Sequence, residues 1–247
     1  MPLPTDDLWV RRFHPAPAAA HRLVCLPHAG GSASYYFPMS KALSPDVDVL
    51  AVQYPGRQDR AAEPMIDSVR ELADRLADVI APWADRPLTL LGHSMGAAVA
   101  FELASRLQER GIIAHRLFTS GRRAASIVRD GERVHEADDA GVIAAMRRLG
   151  GVDTALLDEP GLVELILPSV RNDFRAVETY RYVSRPPLAM PIVALTGDDD
   201  PTTSLDDARA WASHTAVGFS LEVYPGGHFF LNDHMGAVVG LVRASLS

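Results

Sequence analysis

One cysteine in 247 residues excludes an internal disulfide framework, which needs at least two. Cys25 lies inside the apolar run Leu23-Val24-Cys25-Leu26, where a buried and chemically inert thiol is expected. Long apolar runs are missing as well: none approaches the roughly 20 residues that a membrane-spanning helix requires. Met1-Pro2-Leu3-Pro4-Thr5-Asp6-Asp7 is acidic and has no apolar core of a secretory signal, so a soluble, cytoplasmic protein is expected. Lysine is nearly absent, Lys41 being the only one, and arginine supplies the remaining positive charge. With 24 basic and 31 acidic side chains the net charge is -7, which argues against the clustered basic surface of a nucleic-acid binder. The chain has no internal repeat, low-complexity linker or zinc-type Cys/His spacing, and no metal or cofactor is implied.

What the chain has is apolar mass in alternating blocks. Hydrophobic residues make up 47% of it, enough for one substantial core and a single α/β domain over residues 1–247. Arg22 to Leu26, Val47 to Tyr54, Leu88 to Leu91, Leu117 to Ser120, Pro191 to Thr196 and Leu221 to Tyr224 read as strands, and helical patterns lie between them. The clearest helix opens on Ser68-Val69-Arg70-Glu71, a capping-box pattern. Ile66, Val69, Leu72, Leu76, Val79, Ile80 and Trp83 then recur at three- and four-residue spacing. From Gly121 to about Arg185 the alternation stops. A polar stretch there is followed by helical patterns around Val142 to Leu149 and Leu162 to Tyr182, which read as an insertion between two strands. Its 10 arginines are balanced by 11 acids, so a solvated surface is the expectation, ahead of a basic face for an acidic partner. Leu162, Leu165, Ile166, Phe174 and Val177 are the expected inner face of this insertion.

The chemistry centres on Gly92-His93-Ser94-Met95-Gly96. It follows a predicted strand and precedes a small-residue helix, Ala97 to Leu107, which is the context of a nucleophile elbow. On so sharp a turn the serine is crowded by its neighbours at minus two and plus two, so both must be glycine. Ser94 Oγ then stands exposed at a helix N-terminus, whose dipole and free N–H groups favour the charge developing during acyl transfer.

A serine hydroxyl needs a base and an orienting acid, expected here in the order Ser, Asp, His. Leu221-Glu222-Val223-Tyr224 runs into Pro225-Gly226-Gly227-His228, which makes His228 the expected base. His234, six residues on in the predicted last helix, is its main competitor. His28 and His93 flank the site, each with the alternative of a supporting hydrogen bonder instead of a base. His14, His21, His115, His135 and His214 stand in polar or loop-like sequence, where solvated rings are expected. Three acids follow the preceding strand, Asp198, Asp199 and Asp200. Asp200 is preferred because the residue before Pro201 is held extended, and the other two remain open as loop acids or caps of a helix from Thr202 to Thr215. One oxyanion donor is expected to be the N–H of Met95. The other belongs to Pro27-His28-Ala29-Gly30-Gly31, where Pro27 has no N–H, leaving His28, Ala29 or a glycine. His28 and Phe229 are the expected substrate contacts. Arg57 either anchors its own loop through a carboxylate or meets a phosphate, and the anchoring role is favoured.

Five motifs together carry a family resemblance: Pro27-His28-Ala29-Gly30-Gly31, Gln53-Tyr54-Pro55-Gly56-Arg57, Leu91-Gly92-His93-Ser94-Met95-Gly96, Gly197-Asp198-Asp199-Asp200-Pro201 and Gly226-Gly227-His228-Phe229-Phe230. In this order and at these intervals the chain resembles type II thioesterases, the discrete editing enzymes of polyketide and nonribosomal peptide assembly lines. The resemblance implies an α/β-hydrolase fold with a mostly parallel sheet and a helical lid. It also implies Ser94, Asp200 and His228 as catalytic residues, with Ala29 and Met95 as oxyanion donors. The substrates it implies are acyl groups carried as phosphopantetheine thioesters on acyl or peptidyl carrier domains. A monomer is expected. Two rivals remain: a general acyl-CoA or oxygen-ester hydrolase of the same fold, and a non-catalytic binding protein of that fold. The second need not keep nucleophile, base and acid together, and this chain has all three.

Overall fold

A computed structural model describes residues 8–129, 131, 133–150 and 159–246. Among the described residues, seven strands form one sheet in the order β1-β3-β2-β4-β5-β6-β7. They are β1 (Val10–Arg11), β2 (His21–Leu26), β3 (Val47–Val52), β4 (Leu88–His93), β5 (Arg116–Ser120), β6 (Ile192–Gly197) and β7 (Phe219–Tyr224). Only β1 runs antiparallel, at the edge beside β3, and the other pairings are parallel. Central strands β3, β4 and β6 are buried at every residue, as expected of a sheet covered on both faces.

Alternate residues of each strand feed opposite layers. Val24, Leu26 and Leu90 pack beneath α2 (Val69–Ile80) and α3 (Met95–Glu109), whereas Leu23, Cys25 and Leu91 pack beneath α1 (Phe37–Leu43) and α7 (Leu231–Ala244). Helix α2 begins where its cap indicates, with Ser68 Oγ accepting the Glu71 N–H at 3.3 Å. Cys25 is fully buried, which pushes its thiol pKa up and leaves it unreactive at neutral pH. Among the described residues no helix is long and apolar enough to cross a membrane.

Between β5 and β6 the alternation gives way to α4 (Asp139–Leu149) and α5 (Pro160–Glu178). Val142, Met146, Val163, Leu167 and Val170 form a small apolar core of their own between these helices. On this insertion Arg171 pairs with Asp139 and Arg133 with Glu136, while Arg175 pairs with Asp67 of the body. Leu165 departs from the expected inner face and is 73% exposed. Ile166, Val170, Phe174 and Val177 make the inward stripe at spacings of four and three, and Leu165 stands roughly 100° away from Ile166 around the axis. The side chain of Leu162 lies outside the described residues.

The segment expected as one helix from Thr202 to Thr215 is shorter and broken. Helix α6 (Leu205–Arg209) starts at a reciprocal cap between Ser204 and Asp207, followed by a 3-10 turn over Ala210–His214. Neither Asp198 nor Asp199 caps it.

Candidate active site

The turn from β4 to α3 has the strained geometry that its glycines suggest. Ser94 has φ 55° and ψ -116°, a region costing a non-glycine residue about 1–3 kcal/mol. A Cβ on Gly92 would lie 2.0 Å from the Gly96 carbonyl oxygen, and one on Gly96 would lie 2.0 Å from that of Leu26. Neither contact is tolerable, so helix and strands approach this closely only with glycine at both positions. The Ser94 N–H donates to the Ser120 carbonyl at 2.8 Å, and the Ala97 N–H donates to the Ser94 carbonyl at 3.0 Å. The backbone is thus held while the half-buried side chain faces a cavity.

Opposite Ser94, the loops after β6 and β7 are tied together. Asp198 Oδ1 accepts the Gly226 N–H at 2.8 Å, and the Asp199 N–H donates to the Gly226 carbonyl at 3.0 Å. That leaves Asp200 for His228: its Oδ2 lies 2.8 Å from Nδ1, in a pair whose side chains are 0% and 3% exposed. Asp200 Oδ1 also accepts the Thr202 N–H and Thr202 hydroxyl, each at 2.8 Å, while Thr202 Oγ1 lies 3.1 Å from His228 Nδ1. Burial works to raise the Asp200 pKa, but the His228 hydrogen bond and charge and the Thr202 donors outweigh it, holding the carboxyl below its usual range. Thr202 was not singled out from sequence. Its signal was the Asp-Pro-Thr order, which suits an aspartate that accepts from a residue two positions on.

His28 and His93 sit close by in a different state. Burial, with the fields of His228 and Arg57 added, pushes the His28 pKa down to about 3. Burial and the fields of His228 and His28 likewise push His93 well below its usual value. Both rings are therefore neutral at neutral pH, packed with Phe229 at ring-centre distances of 4.8 and 5.1 Å. His93 Nδ1 pairs with Ser120 Oγ at 3.0 Å. His234 turns away, its Nε2 bonded to the Pro225 carbonyl at 2.9 Å. His14, His21, His115 and His135 are partly exposed, but His214 is not solvated as expected. It is 4% exposed against Phe101, Tyr182 and Trp211, and burial together with the Arg185 charge lowers its pKa to about 4.

In the loop after β2, Gly31 N–H donates to the His28 carbonyl and Gly30 N–H to Asp173 Oδ2. Among the described residues the N–H groups of His28, Ala29 and Met95 have no protein acceptor. Arg57 anchors rather than reaching outward: it is 7% exposed and grips Asp173 of α5 through bonds of 2.6 and 2.9 Å.

These elements surround a cavity of about 340 Å³. His28, Ala29, Ser94, Thr202, His228 and Phe229 line one end, and Arg122, Arg123, Arg148 and Glu178 also border the cavity. Ala145, Met146, Ile166, Val170, Phe174 and Val177 supply an apolar wall from the insertion. A hydroxyl on a strained turn, a carboxylate-oriented imidazole and N–H donors without a protein acceptor beside a largely apolar chamber suit acyl transfer from a substrate with an apolar tail. Among the described residues no group of three or more His, Cys, Asp or Glu could hold a metal ion.

The model of the thioesterase domain family matches residues 21–246. Thioesterase PikA5 of Streptomyces venezuelae is 50% identical over 235 residues, covering 94% of this chain and 83% of that protein. The solved structure of the type II thioesterase BorB, from the borrelidin biosynthetic cluster, is similar with a TM-score of 0.93 at 46% identity, covering 99% of this chain and 100% of that one. The RedJ thioesterase from the prodiginine pathway of Streptomyces coelicolor gives 0.86 at 35% identity, over 92% and 86% of the two chains. This chain therefore belongs to the thioesterase family, as an α/β-hydrolase-fold serine hydrolase of thioesters related to the type II enzymes of polyketide and nonribosomal peptide pathways.

Proposed function

We propose that this enzyme removes aberrant or stalled acyl groups from the phosphopantetheine thioesters of acyl and peptidyl carrier domains, editing an assembly line. The observation that carries this reading is the apolar chamber onto which Ser94 and His228 both open, large enough for an acyl group and walled by the insertion. In the reaction, Ser94 Oγ attacks the thioester carbonyl carbon as His228 takes its proton. The resulting oxyanion is held by the N–H groups of Ala29 and Met95. Collapse breaks the carbon–sulfur bond, and His228 passes its proton to the leaving sulfur, freeing the pantetheine thiol. Water then attacks the acyl-serine, again giving a proton to His228. The second collapse returns that proton to Ser94 Oγ and releases the carboxylic acid.

Asp200 holds the His228 tautomer with its proton on Nδ1 and stabilises the imidazolium without taking the proton. Neutral His28 and Phe229 contact the acyl group next to the carbonyl, and α4 and α5 act as the lid of a single domain. The reaction uses no metal or cofactor, and the enzyme works as a cytoplasmic monomer alongside its synthase.

Carrier contact adds binding energy that can be used in the transition state, so acyl-carrier protein is expected to exceed matched acyl-CoA and oxygen ester in kcat/KM. Equal rates on acyl-CoA and acyl-carrier protein, with one long acyl chain preferred, would identify a general fatty-acyl hydrolase instead.

A further inference from the structure

The Ala29 N–H can serve as an oxyanion donor only while its peptide, shared with the His28 carbonyl, is held still. The two residues that follow are glycines, with no side chain to anchor them and the largest conformational freedom to lose. Gly31 N–H closes a local turn onto the His28 carbonyl, the other end of the peptide that bears the Ala29 N–H, and a second anchor comes from a distant part of the chain. Asp173 on α5 is 1% exposed and accepts the Gly30 N–H at 2.8 Å. Arg57, in the loop after β3, binds the same carboxylate through two nitrogens and donates to the Gly31 carbonyl at 3.0 Å. Consecutive residues after Ala29 are thus pinned, one by its N–H and the next by its C=O. Val170, one helical turn before Asp173, closes the same space: a Cβ on Gly30 would lie 2.6 Å from its Cγ2.

Resting on the catalytic reading above, we propose that Asp173, oriented by Arg57, is a positioning residue of the oxyanion hole that fixes the Ala29 N–H from the chamber wall. Stability alone does not require this pair, because a buried ion pair can often be replaced by apolar side chains of similar volume without loss. What an apolar pair cannot supply is direction at the Gly30 and Gly31 backbone. Direction matters here because a shift of about 1 Å in a group aligned with the reacting atoms can cost about a hundredfold in rate. The same contacts make α5 a fixed wall, since it cannot swing from the body without uncovering both charges.

The test uses the full-length enzyme, an acyl-carrier substrate and an acyl trifluoromethyl ketone, to whose carbonyl a serine hydroxyl adds to give an alkoxide in the oxyanion hole. The variants are Asp173→Glu, which keeps both charges and moves the carboxylate, and the double variant Arg57→Met with Asp173→Leu. Ser94→Ala serves as the control. The double variant is expected to stay folded with a lowered Tm, because Gly30 N–H and Gly31 C=O lose their partners, while kcat falls about ten- to a hundredfold, KM changes less than about threefold, and the ketone weakens in proportion to kcat/KM. Asp173→Glu is expected to fall between wild type and the double variant in both readouts. If the double variant does not fold, Asp173→Glu alone decides: a joint loss of kcat and ketone affinity supports the role. Wild-type kcat and ketone affinity in the folded variants, or a change in KM alone, overturns it while an inactive Ser94→Ala leaves the catalytic reading standing. An active Ser94→Ala overturns the reading itself.

Discussion

Asp200 Oδ2 lies 2.8 Å from His228 Nδ1, in a pair almost wholly removed from solvent. The adjacent Asp198 uses its carboxylate on the Gly226 N–H, and Asp199 is exposed. Three consecutive aspartates therefore occupy three different environments, and only one addresses the imidazole.

Asp200→Asn is expected to lower kcat by about a thousandfold or more, because an amide favours the wrong imidazole tautomer. Asp198→Asn retains an oxygen acceptor for Gly226, and Asp199→Asn changes an exposed loop, so both are expected to stay within about threefold of wild type. Steady-state kinetics on purified, folded variants check the ranking. A larger loss in either neighbour than in Asp200 would contradict it.

Most of the sheet and the Ser94 turn were legible because strand runs, turn glycines and their order are local features. The acid was legible only as a choice among neighbours, since Asp198, Asp199 and Asp200 differ in partners supplied by the β7 loop. His214 misled for a related reason: Ser213 and Thr215 look polar, yet the 3-10 turn rolls the ring onto Phe101 and Tyr182, far away in sequence. Leu165 counted as inward because the segment has apolar residues on more than one side, and only packing against α4 selected the stripe. For Arg57 a carboxylate partner could be anticipated but not named, because Asp173 is one of 11 acids in the same insertion.

Glycine's two roles predict opposite stability effects. Gly96→Ala drives a Cβ into the Leu26 backbone and is expected to lower Tm by about 5 °C or more, or to prevent soluble expression. Gly240 lies on the exposed side of α7 with open space around it, so Gly240→Ala is expected to stabilise by about 0.5–1 kcal/mol. Thermal melts of the two variants would contradict the packing account if their shifts had the same sign.

On the proposed function, the chamber wall is expected to set acyl size. Ala145 is 7% exposed and lines the cavity, so Ala145→Phe is expected to reduce kcat/KM for hexanoyl-carrier about tenfold or more while acetyl-carrier changes less than about threefold. Parallel losses on both substrates would show that the insertion does not discriminate by size. Without such a change, preference among small acyl groups is expected to be weak, because one methylene is worth only about 1–3 kcal/mol.

Stability should fall on mild acidification. In the folded protein His28 titrates at about 3 and His214 at about 4, against an ordinary value near 6.5 in the unfolded chain. Between these limits the unfolded state binds more protons, so stability is full above about pH 6.5 and declines as pH falls toward 4. Thermal melts at pH 7.5 and 5, with NMR detection of a still-neutral His214 ring at pH 5.5, check this. A Tm unchanged across the interval, or a protonated ring at pH 5.5, would refute it.

The most direct measurement is the hydrolysis rate of acyl-carrier protein by Ser94→Ala, alongside its Tm. The strained turn exists to present that one hydroxyl to the chamber, so the variant is expected to lose activity by about a thousandfold or more and to melt at or above wild type. More than a tenth of wild-type hydrolysis at an unchanged Tm would mean that Ser94 is not the nucleophile.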